Sequence, residues 1–213
     1  MKRVALTVFL LTAGPVLAEP DCHLGLMSGY VFGRSQHQPQ GAAPLTDTFE
    51  VEGRALGARF GCLASRQRWV YGAAADIMHS QAHGDTQELA PNQNFFAETS
   101  FEWLGTVRAV AGWQFTPKSV VYLTGGLAAT SVKIRVCSTV SGVCGSTSEK
   151  LWGVVGGAGA RYRLARRLSL DFEYLVFGFE QKGFSAPGPG FADREGGVNP
   201  EAQLVRLGLN FHF

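Results

Sequence analysis

From Val205 onward every second residue of the chain is apolar: Val205, Leu207, Leu209, Phe211, Phe213. The residues between them are Arg206, Gly208, Asn210 and His212. Side chains of an extended chain point alternately to opposite faces, so this is a strand with one greasy face and one polar face. A soluble protein has little use for a bare amphipathic strand that ends on an aromatic residue. A strand of a closed membrane barrel uses both faces. The apolar one meets lipid, the polar one meets the lumen, and the last strand pairs with the first.

The other end fits an exported protein. Lys2 and Arg3 form a basic start, Val4 to Leu11 an apolar run, and Val16-Leu17-Ala18 a small-residue cleavage site. Residues 1–18 are therefore expected to be a cleaved signal peptide, leaving a single domain over 19–213. The apolar run is too short to span a bilayer and Gly14-Pro15 interrupts it, which argues against a helical anchor. Glu19-Pro20-Asp21 argues against a lipid on Cys22. The 19 Lys and Arg include Lys2 and Arg3; the remaining 17 match the 17 Asp and Glu. The mature chain is formally neutral, so nothing in its charge points to nucleic acid. Gly is abundant at 27 residues and no later stretch is apolar enough for a membrane helix.

The pattern divides the chain into eight strands: Cys22–Gly33, Phe49–Leu63, Trp69–Ser80, Thr99–Phe115, Val120–Val136, Ser148–Leu164, Leu168–Glu180 and Glu201–Phe213. The links between them alternate. Ala64–Arg68, Thr116–Ser119 and Ala165–Arg167 are short; Arg34–Thr48, Gln81–Glu98, Cys137–Thr147 and Gln181–Pro200 are long. Outer-membrane barrels have short periplasmic turns and long outer loops, and a sandwich has no reason to alternate this way. The fold class expected is all-β, an eight-stranded antiparallel up-and-down transmembrane barrel. Strand faces follow by parity. Leu168, Leu170, Phe172, Tyr174 and Val176 oppose Ser169, Asp171 and Glu173. Phe101, Trp103, Val107, Ala109, Ala111, Trp113 and Phe115 oppose Glu102, Thr106, Arg108, Gly112 and Gln114. In the second strand Glu50, Glu52 and Arg54 share parity with Leu56, Ala58 and Phe60, which a β-bulge near Arg54 would repair. Aromatic residues near strand ends, among them Phe49, Trp69, Trp113, Tyr122, Trp152 and Phe211, are expected in two girdles at the headgroups.

Trp103-Leu104-Gly105-Thr106-Val107-Arg108, Val121-Tyr122-Leu123-Thr124-Gly125-Gly126-Leu127-Ala128, Leu170-Asp171-Phe172-Glu173-Tyr174-Leu175 and Val205–Phe213 together resemble the small opacity-protein-like outer-membrane β-barrel family, which includes alphaproteobacterial surface antigens and porin-like proteins. The likeness covers the third to eighth strands well and the first two loosely. It implies an eight-stranded barrel in the outer membrane of a Gram-negative cell, without implying one activity, since members differ in their loops. It also implies that Phe211 and Phe213 form the signal read by the barrel-assembly machinery. This chain departs from the family in carrying four Cys.

An eight-stranded barrel is barely wide enough for its own side chains, and buried charges must pair. Arg54, Asp76, Glu102, Arg108, Lys133, Arg135, Arg161, Arg163, Asp171, Glu173 and Arg206, with Arg59 as a further candidate, are read as lumen-facing. The plug they form would centre on Arg108, Arg161, Arg206, Asp171 and Glu173. This argues for a structural or interaction role without an open channel. The alternatives are a narrow porin for small solutes and a soluble periplasmic ligand-binding β-barrel, though the latter needs an apolar lumen and a polar outside. The Cys fit an oxidising compartment and allow three pairings. Cys137 with Cys144 would pin a loop tip, and Cys22 with Cys62 would join the periplasmic ends of adjacent strands; free thiols are the alternative.

The outward face would sit in outer-membrane lipid and lipopolysaccharide. The short turns carry Arg66, Arg68, Lys118, Arg166 and Arg167, either as plain solvated turns or as contacts to inner-leaflet headgroups. An extracellular partner is open; Phe95-Phe96, Phe184 and Phe191 are loop aromatics that either bind one or fold back on the rim. No cofactor is expected: His37, His79 and His83 lack tight metal-ligand spacing. No enzyme is expected either. His79 and Ser80 are adjacent and so point to opposite faces, and the other His residues have no Ser at i±2 with a supporting acid.

Overall fold

The computed structural model describes residues 20–35, 37–38, 49–87, 95–138, 140, 142–180, 182–185, 195–198 and 201–213. The expected signal peptide, 1–18, lies outside the described residues, as does Phe191. The barrel strands are β1 (Asp21–Ser35), β2 (Phe49–Arg66), β3 (Trp69–Gln87), β4 (Phe95–Thr116), β5 (Ser119–Ser138), β6 (Cys144–Ala165), β7 (Leu168–Phe179) and β8 (Glu201–His212). Each pairs antiparallel with the next, and β1 pairs with β8 from His23 opposite His212 to Arg34 opposite Glu201, so the barrel is closed and has no free edge. Two-residue turns at Gln67-Arg68, Pro117-Lys118 and Arg166-Arg167 join the strands at one end. At the other end His37–Gln38, Glu195–Val198 and Lys182–Ser185 form a separate three-stranded sheet, which ties the β1–β2 link to the β7–β8 link.

The polarity of each strand inverts along its length while its parity stays the same. Near the short turns the outward side chains are apolar and exposed: Leu24 and Leu26 on β1, Leu56 and Phe60 on β2, Val121, Leu123 and Leu127 on β5, Leu207, Leu209 and Phe211 on β8. Toward the long links the outward positions become polar: Arg34 on β1, Glu50, Glu52 and Arg54 on β2, His79, His83 and Asp85 on β3, Lys133 and Arg135 on β5. The inward face does the reverse. It is polar and charged toward the short turns and apolar toward the long links. There Val31, Val51, Met78, Phe101, Val132, Ile134, Phe177 and Leu204 belong to one buried cluster. A strand of about ten residues crosses a bilayer, and these strands run to 18–22 residues in β2–β6, so half of each stands clear of lipid. The lower half meets lipid outside. The upper half meets water outside and fills itself with hydrocarbon, as a soluble domain does.

This inversion corrects several expectations. Glu50, Glu52 and Arg54 share a face with Leu56, Ala58 and Phe60 because β2 leaves the lipid there. Its register with β1 runs unbroken from Asp21↔Leu63 to Ser35↔Phe49, without a bulge near Arg54. A register shift instead falls on β4, between Phe101 and Trp103, and it switches parity. Phe101 is therefore buried inside with Leu104, not outside with Val107. The strands also extend further than alternation of apolar residues suggested. Gln81 to Gln87 read as loop because the outward positions Gln81, His83 and Asp85 are polar, yet this stretch is strand with Ala82 and Gly84 pointing inward, and Phe95 to Glu98 also belong to strand. Phe49 and Tyr122 lie inside, whereas Tyr30, Trp69, Phe115, Trp152, Tyr162 and Phe211 are exposed at the outer surface; Trp69 packs edge-on against Trp113.

The inversion gives a depth-dependent cost for outward charge. Leu123→Arg, in the apolar band, should lower the unfolding free energy in lipid vesicles by about 2–4 kcal/mol, and Ser148→Arg, above it, by about 0–1 kcal/mol. Urea titration of the two variants checks this; equal costs would contradict the assignment of the band.

Candidate functional site

The charged inward face closes into one network to which every strand contributes. Arg59 of β2 donates from Nη1 to Asp171 Oδ2 at 2.8 Å and from Nη2 to Glu173 Oε2. Arg108 of β4 donates to Asp76 Oδ2 at 2.7 Å, to Glu173 Oε1 at 3.3 Å and to the hydroxyls of Thr106 and Thr124. Arg206 of β8 forks onto Asp76 of β3, Nη1 to Oδ1 and Nη2 to Oδ2, both at 2.9 Å, and its Nε reaches Glu173 Oε2 at 2.7 Å. Arg161 of β6 grips Asp171 of β7 through Nε and Nη2, both at 2.7 Å, and Nη2 lies 3.0 Å from Nε2 of His23 on β1. Tyr122 of β5 donates its hydroxyl to Glu173 Oε1 at 2.9 Å. All six carboxylate oxygens of Asp76, Asp171 and Glu173 are taken.

Glycine makes room for these side chains. Gly159 stands opposite Tyr122 across the β5–β6 pair, and a Cβ there would lie 2.6 Å from Tyr122 Cζ. A Cβ at Gly61 would lie 2.7 Å from the His23 ring. The tyrosine and the histidine lie across the lumen because the facing strand has no side chain at those points.

Of the residues read as lumen-facing, Asp76, Arg108, Arg161, Asp171, Glu173 and Arg206 come together here, and Arg59 joins them. Arg54, Lys133 and Arg135 do not: they are exposed outward positions of the upper half. Glu102 does not either. It sits at the β4 register shift and accepts from Ser131 Oγ at 2.8 Å, on the outward parity of β5. Arg163 faces inward but lies at the mouth, 40% exposed, where it pairs with Asp21 instead of joining the network.

A second polar row locks the seam between β7, β8 and β1. His212 has Ser169 Oγ 2.7 Å from its Nε2 and Asp21 Oδ1 2.7 Å from its Nδ1. This is the hydrogen-bond order of a hydrolase triad. Its members come from three neighbouring strands, so spacing along any one strand does not reveal it. Ser169 has no exposed surface, and Asn210 Nδ2 also donates toward its Oγ from 3.4 Å. His79 points outward and Ser80 inward, on opposite faces of β3. Among the described residues no group of three or more His, Cys, Asp or Glu is placed to hold a metal ion. Two disulfides brace the barrel. Cys22 and Cys62 face each other across β1 and β2 near the short turns, and Cys137 and Cys144 close the β5–β6 hairpin at the far end.

Chemically the network is a set of shared charges: each carboxylate oxygen of Asp76, Asp171 and Glu173 accepts from an arginine. Removing one partner leaves buried charge under-compensated: Glu173→Ala, which takes one carboxylate partner from each of three arginines, should cost about 3–5 kcal/mol of unfolding free energy. Arg163→Gln breaks only the exposed rim pair and should cost about 0–1 kcal/mol. Urea unfolding in vesicles separates the two; similar small losses would contradict the network.

The comparisons with known proteins agree with this architecture. Residues 53–213 match the family model described as the outer membrane protein beta-barrel domain. The chain is 30% identical to the 31 kDa outer-membrane immunogenic protein of Brucella melitensis, over 95% of this chain and 88% of that protein. Among solved structures, the outer membrane protease OmpT from Escherichia coli superposes with a TM-score of 0.58 at 8% identity, covering 94% of this chain and 99% of that one. The outer membrane protein OprG from Pseudomonas aeruginosa gives 0.52 at 12% identity, covering 92% and 98%. At such identities the two structures bear on the fold alone. The match from Gly53 within β2 to the last strand, together with a relative of this identity along nearly the whole chain, makes this protein a member of the outer-membrane β-barrel family, located in the outer membrane and related to surface antigens.

Proposed function

We propose that the protein is a surface-exposed structural and interaction barrel without an open channel. The observation that carries this reading is the lumen. Its membrane-level section is crossed by ion pairs from opposite walls, and the section above is packed with hydrocarbon such as Phe101, Phe177 and Leu204. A porin needs a continuous polar path, and both layers oppose one. The burial of Ser169 supports a non-enzymatic role. The rigid upper barrel and the small sheet shared by the first and last links would present the outer loops to an extracellular partner.

The surroundings follow from the surface. Lipid and lipopolysaccharide would cover the apolar band, and the aromatic C-terminal strand bearing Phe211 and Phe213 would be read by the assembly machinery. Arg66, Arg68, Lys118, Arg166 and Arg167 ring the short-turn end, where they suit inner-leaflet phosphates. Reversing the charge of Arg66, Arg166 and Arg167 together should weaken insertion into anionic vesicles more than into zwitterionic ones; equal insertion would count against headgroup contact.

Planar-bilayer recording tests the main reading. The refolded barrel should give no steady current above that of the bare membrane. Reproducible unitary channels would overturn the closed lumen and favour the narrow porin.

A further inference from the structure

The short-turn mouth of the barrel holds a cavity of about 210 Å³ that the plug does not fill. Its inner end is formed by Arg161 and Tyr122, and its mouth by Lys118, Arg163 and Asp21. Leu63, Val70 and Val110 make the walls, and these belong with Tyr122 to a small buried apolar cluster against which Val120 packs. These wall residues face into the bore, so the cavity opens to the periplasm and not to the lipid.

Its electrostatics are unbalanced. The plug sets Arg59, Arg108, Arg161 and Arg206 against Asp76, Asp171 and Glu173, one positive charge in excess. Donors outnumber acceptors as well. Arg59 Nε is buried without a hydrogen-bond partner among the described residues, and no hydrogen bond among them uses Nη1 of Arg161. Lys118 and Arg163 add two cations at the mouth. Among the described residues Asp21 is the one acid on the cavity lining, and Arg163 and His212 already hold it. An excess of fixed positive charge beside low-dielectric walls concentrates anions. The apolar walls favour an anion with a hydrocarbon part, because water gains little there.

We propose that this vestibule binds a small amphiphilic organic anion, its carboxylate or phosphate head between Arg161, Arg163 and Lys118 and its apolar part against Val70 and Val110. A cavity of roughly 150 Å³ accommodates benzene, so the vestibule takes a ligand on the order of ten non-hydrogen atoms. The site does not depend on what the outer loops contact, and it seals the barrel further instead of opening it.

The test uses isotope-labelled full-length barrel refolded in non-ionic micelles and titrated with benzoate, with benzyl alcohol as the neutral analogue, at constant ionic strength. Benzoate should give saturable amide shifts at Val70, Val110, Gln114, Lys118 and Arg163 and contacts from its ring protons to the Val70 and Val110 methyls. Benzyl alcohol should bind at least tenfold more weakly. The double variant Lys118→Gln, Arg163→Gln lies outside the central network, should stay folded with an unfolding midpoint close to the parent's, and should lose at least tenfold in benzoate affinity. Equal shifts from the alcohol would reduce the site to apolar partition and overturn the proposal. So would the absence of saturable shifts in the unaltered barrel, or a double variant that binds benzoate as the parent does.

Discussion

Arg59, Arg108, Arg161 and Arg206 can share the interior of a membrane-embedded barrel only because Asp76, Asp171 and Glu173 stand between them. An unpaired charge in that space carries a desolvation penalty of several kcal/mol. The pairs form only in one register. Side chains alternate with period two, so a slip of one residue on β8 would turn Arg206 into lipid and Leu207 into the lumen. The network therefore selects the closed barrel with these strand partners over every slipped alternative. It also ties non-adjacent walls, since Arg206 of β8 reaches Asp76 of β3 and Arg59 of β2 reaches Glu173 of β7.

The network sits at the level where lipid surrounds the barrel, and this placement accounts for the rest of the interior. Outside is hydrocarbon there, so the inward face can be polar and still leave each strand amphipathic. Above the membrane water replaces lipid, the outward face turns polar with Glu50, Glu52, Lys133 and Arg135, and the bore fills with apolar side chains. The chain solves two solvation problems with one unbroken set of strands. The disulfides fall at the two ends of the barrel: Cys22–Cys62 by the short turns and Cys137–Cys144 at the tip of a long hairpin.

The lipid-level half was legible in the sequence because its alternation is strict. The faces of β6, β7 and β8 follow from Arg161, Asp171, Glu173 and Arg206 standing between apolar neighbours, and the three short turns follow from breaks in that pattern. The upper half was not legible by the same rule. A strand leaving lipid keeps its parity but changes which parity is apolar, so Arg54 looked out of phase and Gln81 to Gln87 looked like loop. Glu102 was misplaced for a different reason: one extra residue at the β4 register shift moves Phe101 inside, and composition gives no sign of it. The Ser169–His212–Asp21 row joins strands distant in sequence, Asp21 and His212 being brought together by closure of the barrel, so spacing along one strand could not reveal it.

The fork between Arg206 and Asp76 is where the account is most exposed. A double-mutant cycle with Arg206→Met and Asp76→Leu, read by urea unfolding in lipid vesicles, measures whether the two charges depend on each other. Each single change should cost about 3–5 kcal/mol, and the pair together clearly less than their sum, with a coupling of at least about 2 kcal/mol. Additive costs, within about 0.5 kcal/mol, would mean that the charges do not hold one another in the lumen, and the closed, register-selecting network would be wrong.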